Sequence, residues 1–412
     1  MRIGIVTTWQ ERGAAYVSRQ YRDALRHGHE VFIYARGGEG YAIGDKNWDD
    51  ASVTWGKKIP LHIPMSIDLA DFKKWIIEKG LDIVFFNEQQ WWEPVLLCNS
   101  MGIMTGTYVD YYTQETVPFF QVFDFLICNT KRHFSVFEWH PQAIYLPWGT
   151  NTDIFDLKSE QLVNPELVTF FHSAGVSPER KGTDILLKAF YDLKIPAKLI
   201  IHSQINLKDF YKDMQDLIDE LEESGKLTLI EKTVPAPGLY HLGDIYVYPS
   251  RLDGIGLSLP EAMACGLPVI TTDCQPMNEF VDQANSKLIK ISVKSKRNDN
   301  YYWPMCEPEA ESLTDLLTEY ANNIKNIPDA KRSAREYAVK HLDWKINSMH
   351  LSELIEGFKI IPQSTKIDVV KNIMLYENNR ASWQLKLYKK FPFLFKPFDW
   401  LWPLIKLAYV QK

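Results

Sequence analysis

The sequence predicts an α/β protein built from two doubly wound domains, and three observations lead there. Its 412 residues exceed the roughly 250–300 that a single hydrophobic core usually holds. Short apolar runs alternate with amphipathic ones through both halves, the pattern of parallel strands covered by helices. A stretch rich in turn formers, 146–155, separates the two series.

In chain order, the first half offers strands at 2–8, 29–35 and 82–86, with helices at 13–27 and 68–79 between them and further strands near 103–109 and 123–128. The second half repeats the alternation with strands at 167–172, 197–202, 226–230, 244–249 and 268–272, and helices at 183–193 and 208–223. Residues 1–150 and 151–343 are therefore assigned to the two domains, with 344–360 a helix that returns to the first and 361–412 a basic, aromatic tail. Two such domains bring the carboxyl ends of both sheets to a shared cleft, where open α/β sheets bind ligands.

Composition is that of a globular chain, 46% apolar and 24% charged. The net charge of −6 gives no footprint for nucleic acid. It is unevenly spread: residues 361–412 carry nine Lys or Arg against three Asp or Glu, and the first 360 carry 37 against 49. Nine aromatics and several lysines between 383 and 409 fit peripheral contact with an anionic membrane surface, or a segment wrapped over the first domain or a second subunit. The odd number of cysteines, Cys98, Cys128, Cys265, Cys274 and Cys306, without C-x-x-C spacing, reads as buried free thiols in a reducing compartment. No run of about 18 apolar residues marks a spanning helix and the chain opens directly on a strand, so a cytoplasmic protein is expected.

The chemistry concentrates in 250–273. Asp253 and Glu261 flank a turn made by Gly254 and Gly256 at a strand-to-helix junction, where the amides of Gly256, Leu257, Ser258 and Leu259 would meet a diphosphate. Ser258 and Glu261 fit a capping box equally well. Upstream, Arg180 and Lys181 precede Gly182 and a helix start, a pair of cations beside a positive helix end or two solvated loop charges. Gly13 opens the first helix, where a small residue permits close approach of a phosphate and equally serves merely to start the helix. Glu88 and Asp110, at strand ends of the first domain, are acceptor-side candidates. Trp91 and Trp92 fit either a sugar-stacking surface or the core. His172 and His202 near strand ends read as structural or as nucleotide contacts. No G-x-G-x-x-G, D-x-D, H-E-x-x-H or Cys/His cluster is present, which argues against a nicotinamide or flavin site and for chemistry without metal or cofactor.

Asp253-x7-Glu261 followed by Ala-Met-Ala-Cys-Gly-Leu-Pro-Val-Ile resembles the E-x7-E signature of glycosyltransferase family 4, retaining enzymes of the GT-B fold, and Arg180-Lys181-Gly182 resembles that family's diphosphate-gripping loop. The resemblance implies a nucleoside-diphosphate sugar donor and a glycan or lipid-linked acceptor. It casts Glu261 as the ribose ligand, Asp253 as the contact to the transferred sugar, and Arg180 and Lys181 as partners of the leaving diphosphate. Val176 stands where many relatives carry another Arg, so Arg180 would bear more of the load, and Asp110 stands near the place of a family histidine. Base recognition is expected around 233–240. The alternatives are another GT-B enzyme, such as a sugar-nucleotide epimerase or a phosphorylase, and a non-catalytic sugar-nucleotide-binding protein.

Overall fold

A computed structural model describes residues 1–36, 40–57, 59, 65–157, 162–282, 286–297 and 300–391. The first domain holds seven strands: β1 (Arg2–Thr7), β2 (Glu30–Ala35), β3 (Val53–Trp55), β4 (Ile83–Phe86), β5 (Met104–Tyr108), β6 (Phe125–Cys128) and β7 (Ala143–Tyr145). They form one parallel sheet in the order β3-β2-β1-β4-β5-β6-β7. The second domain holds β8 (Thr169–Gly175), β9 (Lys198–Ser203), β10 (Leu227–Glu231), β11 (Ile245–Tyr248), β12 (Val269–Thr272) and β13 (Ser286–Ile289), parallel in the order β10-β9-β8-β11-β12-β13. Every residue of β4, β6, β11 and β12 is buried, as expected of strands covered on both faces. The α/β class and the two Rossmann-like domains read from the sequence are those observed.

Strand order reverses beside β1 in the first sheet and beside β8 in the second, and such switch points leave a crevice at the carboxyl edge. The helix Gly13–Leu25 covers the first crevice. It buries Ala14, Val17, Ser18, Tyr21 and Leu25 at helical spacing, so its start is aimed at the cleft. In the second domain the helix Thr183–Tyr191 follows β8 and the helix Ser258–Ala264 follows β11.

A hairpin of β14 (Ile291–Ser295) and β15 (Met305–Pro308) leaves the second sheet and reaches the first domain, where Tyr301 bridges to Thr113 and the Tyr302 amide donates to the Tyr112 carbonyl at 3.1 Å. The expectation of five free thiols is corrected here: Cys274 and Cys306 are joined in a disulfide at the base of this hairpin, and Cys98, Cys128 and Cys265 are free and buried. A sequence separation of 32 gave no spacing signal for that pair.

The chain passes between domains twice, side by side. Trp344 donates its amide to the Thr150 carbonyl at 2.9 Å, and Thr150 donates to the Leu342 carbonyl at 2.7 Å. Gly149 is pressed so close that a Cβ there would lie 2.6 Å from the Leu342 carbonyl oxygen. The expected single helix 344–360 is two short helices, Trp344–Asn347 and Leu351–Gly357, interrupted where buried Ser348 turns its hydroxyl back onto the Trp344 carbonyl at 2.6 Å. The helix expected at 208–223 is likewise broken, at Tyr211, whose ring is drawn into the core while its backbone leaves the helical region.

The helices Ile367–Arg380 and Trp383–Lys390 lie on the first domain. Lys366 pairs with Asp124 at 2.7 Å with both side chains fully buried, and the Trp92 amide donates to Glu377 at 2.8 Å. This is the wrapping alternative for the start of the tail. The rest of the proposed membrane-facing stretch, 392–409, falls outside the described residues. No helix among those described is long and apolar enough to cross a membrane.

Candidate functional site

Five loops meet at the two switch points, those following β1, β4, β5, β8 and β11. In the loop after β8, Gly182 adopts φ 70°, and a Cβ there would fall 2.0 Å from the Pro249 carbonyl oxygen. Only glycine fits, and it presses the Arg180-Lys181 loop against the end of β11. Arg251 locks this arrangement. Its guanidinium forks onto Asp184 at 2.7 and 2.8 Å and onto Glu307 at 2.7 and 2.8 Å, while its amide donates to the Arg180 carbonyl at 2.9 Å. His172 is a strut rather than a ligand contact, buried between the Val247 carbonyl and the Thr183 hydroxyl, each at 2.8 Å. His202 bonds the Lys232 carbonyl at 2.7 Å, and Val176 is exposed.

Arg180 and Lys181 turn toward the two acids. Arg180 pairs with Asp253 at 3.2 Å and donates to the Leu252 carbonyl at 2.9 Å. Lys181 lies with its ammonium 5.2 Å above the Tyr248 ring, within the fields of both Asp253 and Glu261. Burial pulls the Lys181 pKa down, and the carboxylates oppose that pull.

Asp253 is bonded through both of its carboxylate oxygens. One carboxylate oxygen accepts the amides of Gly254 at 2.7 Å and Gly256 at 3.2 Å, and the other accepts from Arg180 and the Tyr248 hydroxyl. Burial pushes its pKa up, but Arg180, Lys181 and the hydrogen bonds outweigh that and leave it below the usual carboxylate range.

Glu261 differs. The capping box open to the sequence does not form. Leu257 occupies the position before the helix with no side-chain cap, Ser258 is already helical, and Glu261 instead accepts from the Tyr240 hydroxyl at 2.7 Å. Burial pushes the Glu261 carboxyl up to about 7, against the pull of Tyr240 and Lys181. The expectation of four free amides is corrected too, because Gly256 donates to Asp253 and Leu259 to the Gly256 carbonyl at 3.0 Å. A turn tight enough to need φ 81° at Gly256 satisfies its own donors.

Across the cleft, Gly13 faces Leu257, whose methyl would lie 3.6 Å from a Cβ at that position. Asp110 and Glu88 come together and share a hydrogen bond. Asp110 is pushed well up, first by burial, then by Glu88 and more weakly by Asp253, while the Tyr108 hydroxyl pulls the other way. Glu88 sits at φ 51°, held there by buried Arg36, which donates to the Asn87 and Glu88 carbonyls at 2.7 and 3.0 Å. Such a conformation is costly for a glutamate and is common at functional sites. Gly254 abuts this acid pair: a Cβ there would lie 2.8 Å from an Asp110 oxygen and 2.3 Å from the Trp303 ring.

Sequence reasoning missed His133, which carries the turn from the opposite domain. Its Nε2 bonds the Gly254 carbonyl at 3.0 Å and its Nδ1 the Tyr112 hydroxyl at 2.9 Å, and burial lowers its pKa to about 3, so the ring is neutral. A lone histidine in a helical run offered no signal. Trp92 belongs to the core, and Trp91 lies under Arg380, 3.8 Å from its guanidinium carbon.

Known proteins share this fold. Residues 155–300, which include Arg180, Lys181, Asp253 and Glu261, match the family model of glycosyl transferases group 1. An uncharacterized glycosyltransferase of Sulfolobus islandicus rod-shaped virus 1 is 26% identical over 43% of this chain and 55% of its own length. A second, from Methanocaldococcus jannaschii, is 24% identical over 52% of this chain and 54% of its own. The chain thus spans about half the length of these relatives. Among solved structures, Anabaena HepE in complex with UDP superposes with a TM-score of 0.66 at 14% identity, over 86% of this chain and 99% of that one. Residues 155–300 are thus similar to glycosyl transferases group 1, within a two-domain fold of the GT-B kind.

Proposed function

We propose that the chain is a retaining hexosyltransferase of the family 4 type, which moves a hexose from a nucleoside-diphosphate sugar to a hydroxyl of a glycan or lipid-linked saccharide in the cytoplasm. The observation that carries this reading is the convergence of Arg180, Lys181, Asp253 and Glu261 on one crevice with Gly13 opposite. An elevated carboxyl that ionises when hydroxyls donate to it fits a ribose ligand, which is the role proposed for Glu261. The HepE structures hold UDP and, in one case, UDP-glucose, so UDP-glucose is the first donor to test.

In the proposed reaction the bond between the anomeric carbon and the diphosphate oxygen breaks, and its electron pair stays on the diphosphate. The acceptor oxygen bonds the anomeric carbon on the same face, and its proton passes to a phosphate oxygen. Arg180 and Lys181 meet the negative charge that develops, a stabilisation stronger in the transition state than in the ground state and needing no divalent metal. Arg180 is tied to Asp253 without donor. Transfer of that guanidinium to the diphosphate would release one Asp253 oxygen for a sugar hydroxyl.

Glu261→Ala and Arg180→Ala should each abolish turnover, and full activity in both would remove the assignment. Release of nucleoside diphosphate only when acceptor is added separates transfer from epimerase or phosphorylase chemistry.

A further inference from the structure

Beside the acid pair opens a cavity of about 1000 Å³ that the donor site does not use. Its walls come from three sources: the first-domain loops near 89–92 and 111–116, the β14–β15 hairpin, and the helix Ile367–Arg380. Tyr301 and Trp303 lie where it adjoins the reaction centre. Their rings pack edge to face at 4.3 Å, and Trp303 touches Gly254 beside Asp110. Both are largely buried, and the edges they leave at the cavity wall are rigid apolar surface against which a sugar can rest.

The charge lining this cavity is one-sided. Arg132, Lys294, Lys296 and Arg297 line it, with Glu115 the acidic residue among the lining groups. Arg380 is also present but is answered by Glu377 at 2.8 Å. Arg132 is held by the Tyr302 carbonyl at 3.1 Å, and its Nε is buried with no hydrogen-bond partner. Arg297 stacks on Tyr301 at 4.8 Å, while Lys294 and Lys296 stand exposed on the hairpin. That Nε is enclosed, so the terminal N–H groups of this fixed guanidinium, backed by the further cations, are the ones suited to phosphate oxygens.

We propose that this cavity binds an acceptor saccharide carrying a phosphate, its sugar against Tyr301 and Trp303 and its phosphate against Arg132 and the hairpin cations. The proposal rests on reading the adjoining crevice as the transfer site, and it assigns the hairpin and the helix Ile367–Arg380 to acceptor choice.

The test measures binding of glucose 1-phosphate and of glucose to the full chain by calorimetry, with and without saturating UDP. Phosphatidylcholine vesicles with and without a polyprenyl phosphoglucose form a second arm. Glucose 1-phosphate should bind about tenfold or more tightly than glucose, as one charge-assisted contact provides. Arg132→Ala should erase that preference, and so should the paired surface change Lys294→Ala with Lys296→Ala, which leaves the fold intact. Arg180→Ala should weaken UDP-glucose and leave the preference standing. Binding to loaded vesicles alone assigns the phosphate to a lipid carrier, and binding of the free sugar phosphate assigns it to the glycan. Measurable but equal affinity for the two sugars, no binding of either glucose 1-phosphate or the loaded vesicles, or loss in Arg180→Ala rather than Arg132→Ala overturns the proposal. Failure of UDP-glucose to bind the unaltered chain strikes instead at the donor reading.

Discussion

Glu261→Gln keeps the size and the Tyr240 contact of the side chain and removes its titration, so it isolates what the elevated carboxyl does. Burial moves this group from the 4.5 of an ordinary glutamate to about 7. At about pH 6 roughly one carboxyl in eleven is ionised, and at about pH 8 roughly ten in eleven. The diphosphate of UDP-glucose keeps its charge over that range. If ribose hydroxyls bind the carboxylate, affinity for UDP-glucose rises about tenfold from pH 6 to pH 8 in the unaltered chain and stays flat in Glu261→Gln. Stability runs the opposite way. A carboxyl whose folded pKa is raised contributes stability that is full below the unfolded value and is lost as pH rises through the folded one. The shift corresponds to about 3 kcal/mol, and water reaching a half-buried cleft residue reduces that to about 2 kcal/mol. The variant should therefore melt a few degrees higher at about pH 8 and no higher at about pH 4. Calorimetric titration and thermal melts at both ends of the range read the two effects. Affinity of the unaltered chain that does not change with pH, or a stabilisation present equally at pH 4, refutes the reasoning.

Other perturbations probe other parts. Arg180→Ala removes the guanidinium paired with Asp253, leaving it only the more distant Lys181, and should cost about 2 kcal/mol in denaturant unfolding, while Arg180→Ala with Asp253→Asn should recover much of that but none of the turnover. Gly182→Ala should prevent stable folding, because its Cβ would fall 2.0 Å from a backbone oxygen. Gly256→Ala meets only the flexible Leu259 side chain at 3.2 Å and should cost about 1 kcal/mol for its positive φ, so expression and melting of the pair tell contact from conformation. Lys366→Met strands Asp124 in the core and should destabilise the first domain by about 3 kcal/mol or more, whereas Asp124→Asn with Lys366→Met should restore most of it.

The sheet strands were legible because buried parallel strands are written as short apolar runs between turn residues, and 244–249 around β11 and 82–86 around β4 show how little tertiary context that signal needs. The donor-side residues were legible because Gly182 and Gly256, both at positive φ, stand next to charged residues in short sequence windows. What escaped depends on chain that returns from far away. His133 meets Gly254 across a separation of 121 residues, Glu377 meets the Trp92 amide across 285, and Cys274 meets Cys306 through a hairpin whose docking on Thr113 no local pattern announces. The capping box was misleading for a related reason, since Ser258 and Glu261 satisfy its spacing while Tyr240, outside the window, supplies the partner that Glu261 takes.

The aspartate at 253, where the resemblance leads one to expect glutamate, has a local cause. Its carboxylate closes a turn onto the amides of Gly254 and Gly256, the one- and three-residue reach that a short acidic side chain makes. A glutamate would carry the carboxylate one methylene past those amides and leave both donors without it. The shorter side chain thus stabilises the turn itself, and only its second oxygen, shared by Arg180 and Tyr248, is placed to exchange partners. On the proposed reading that second oxygen meets a hydroxyl of the transferred sugar once Arg180 turns to the diphosphate. Asp253→Glu separates the two roles. If the turn is what aspartate maintains, the variant loses stability and donor affinity together. If sugar contact is its main task, the longer acid leaves stability unchanged and alters only the choice among donor sugars.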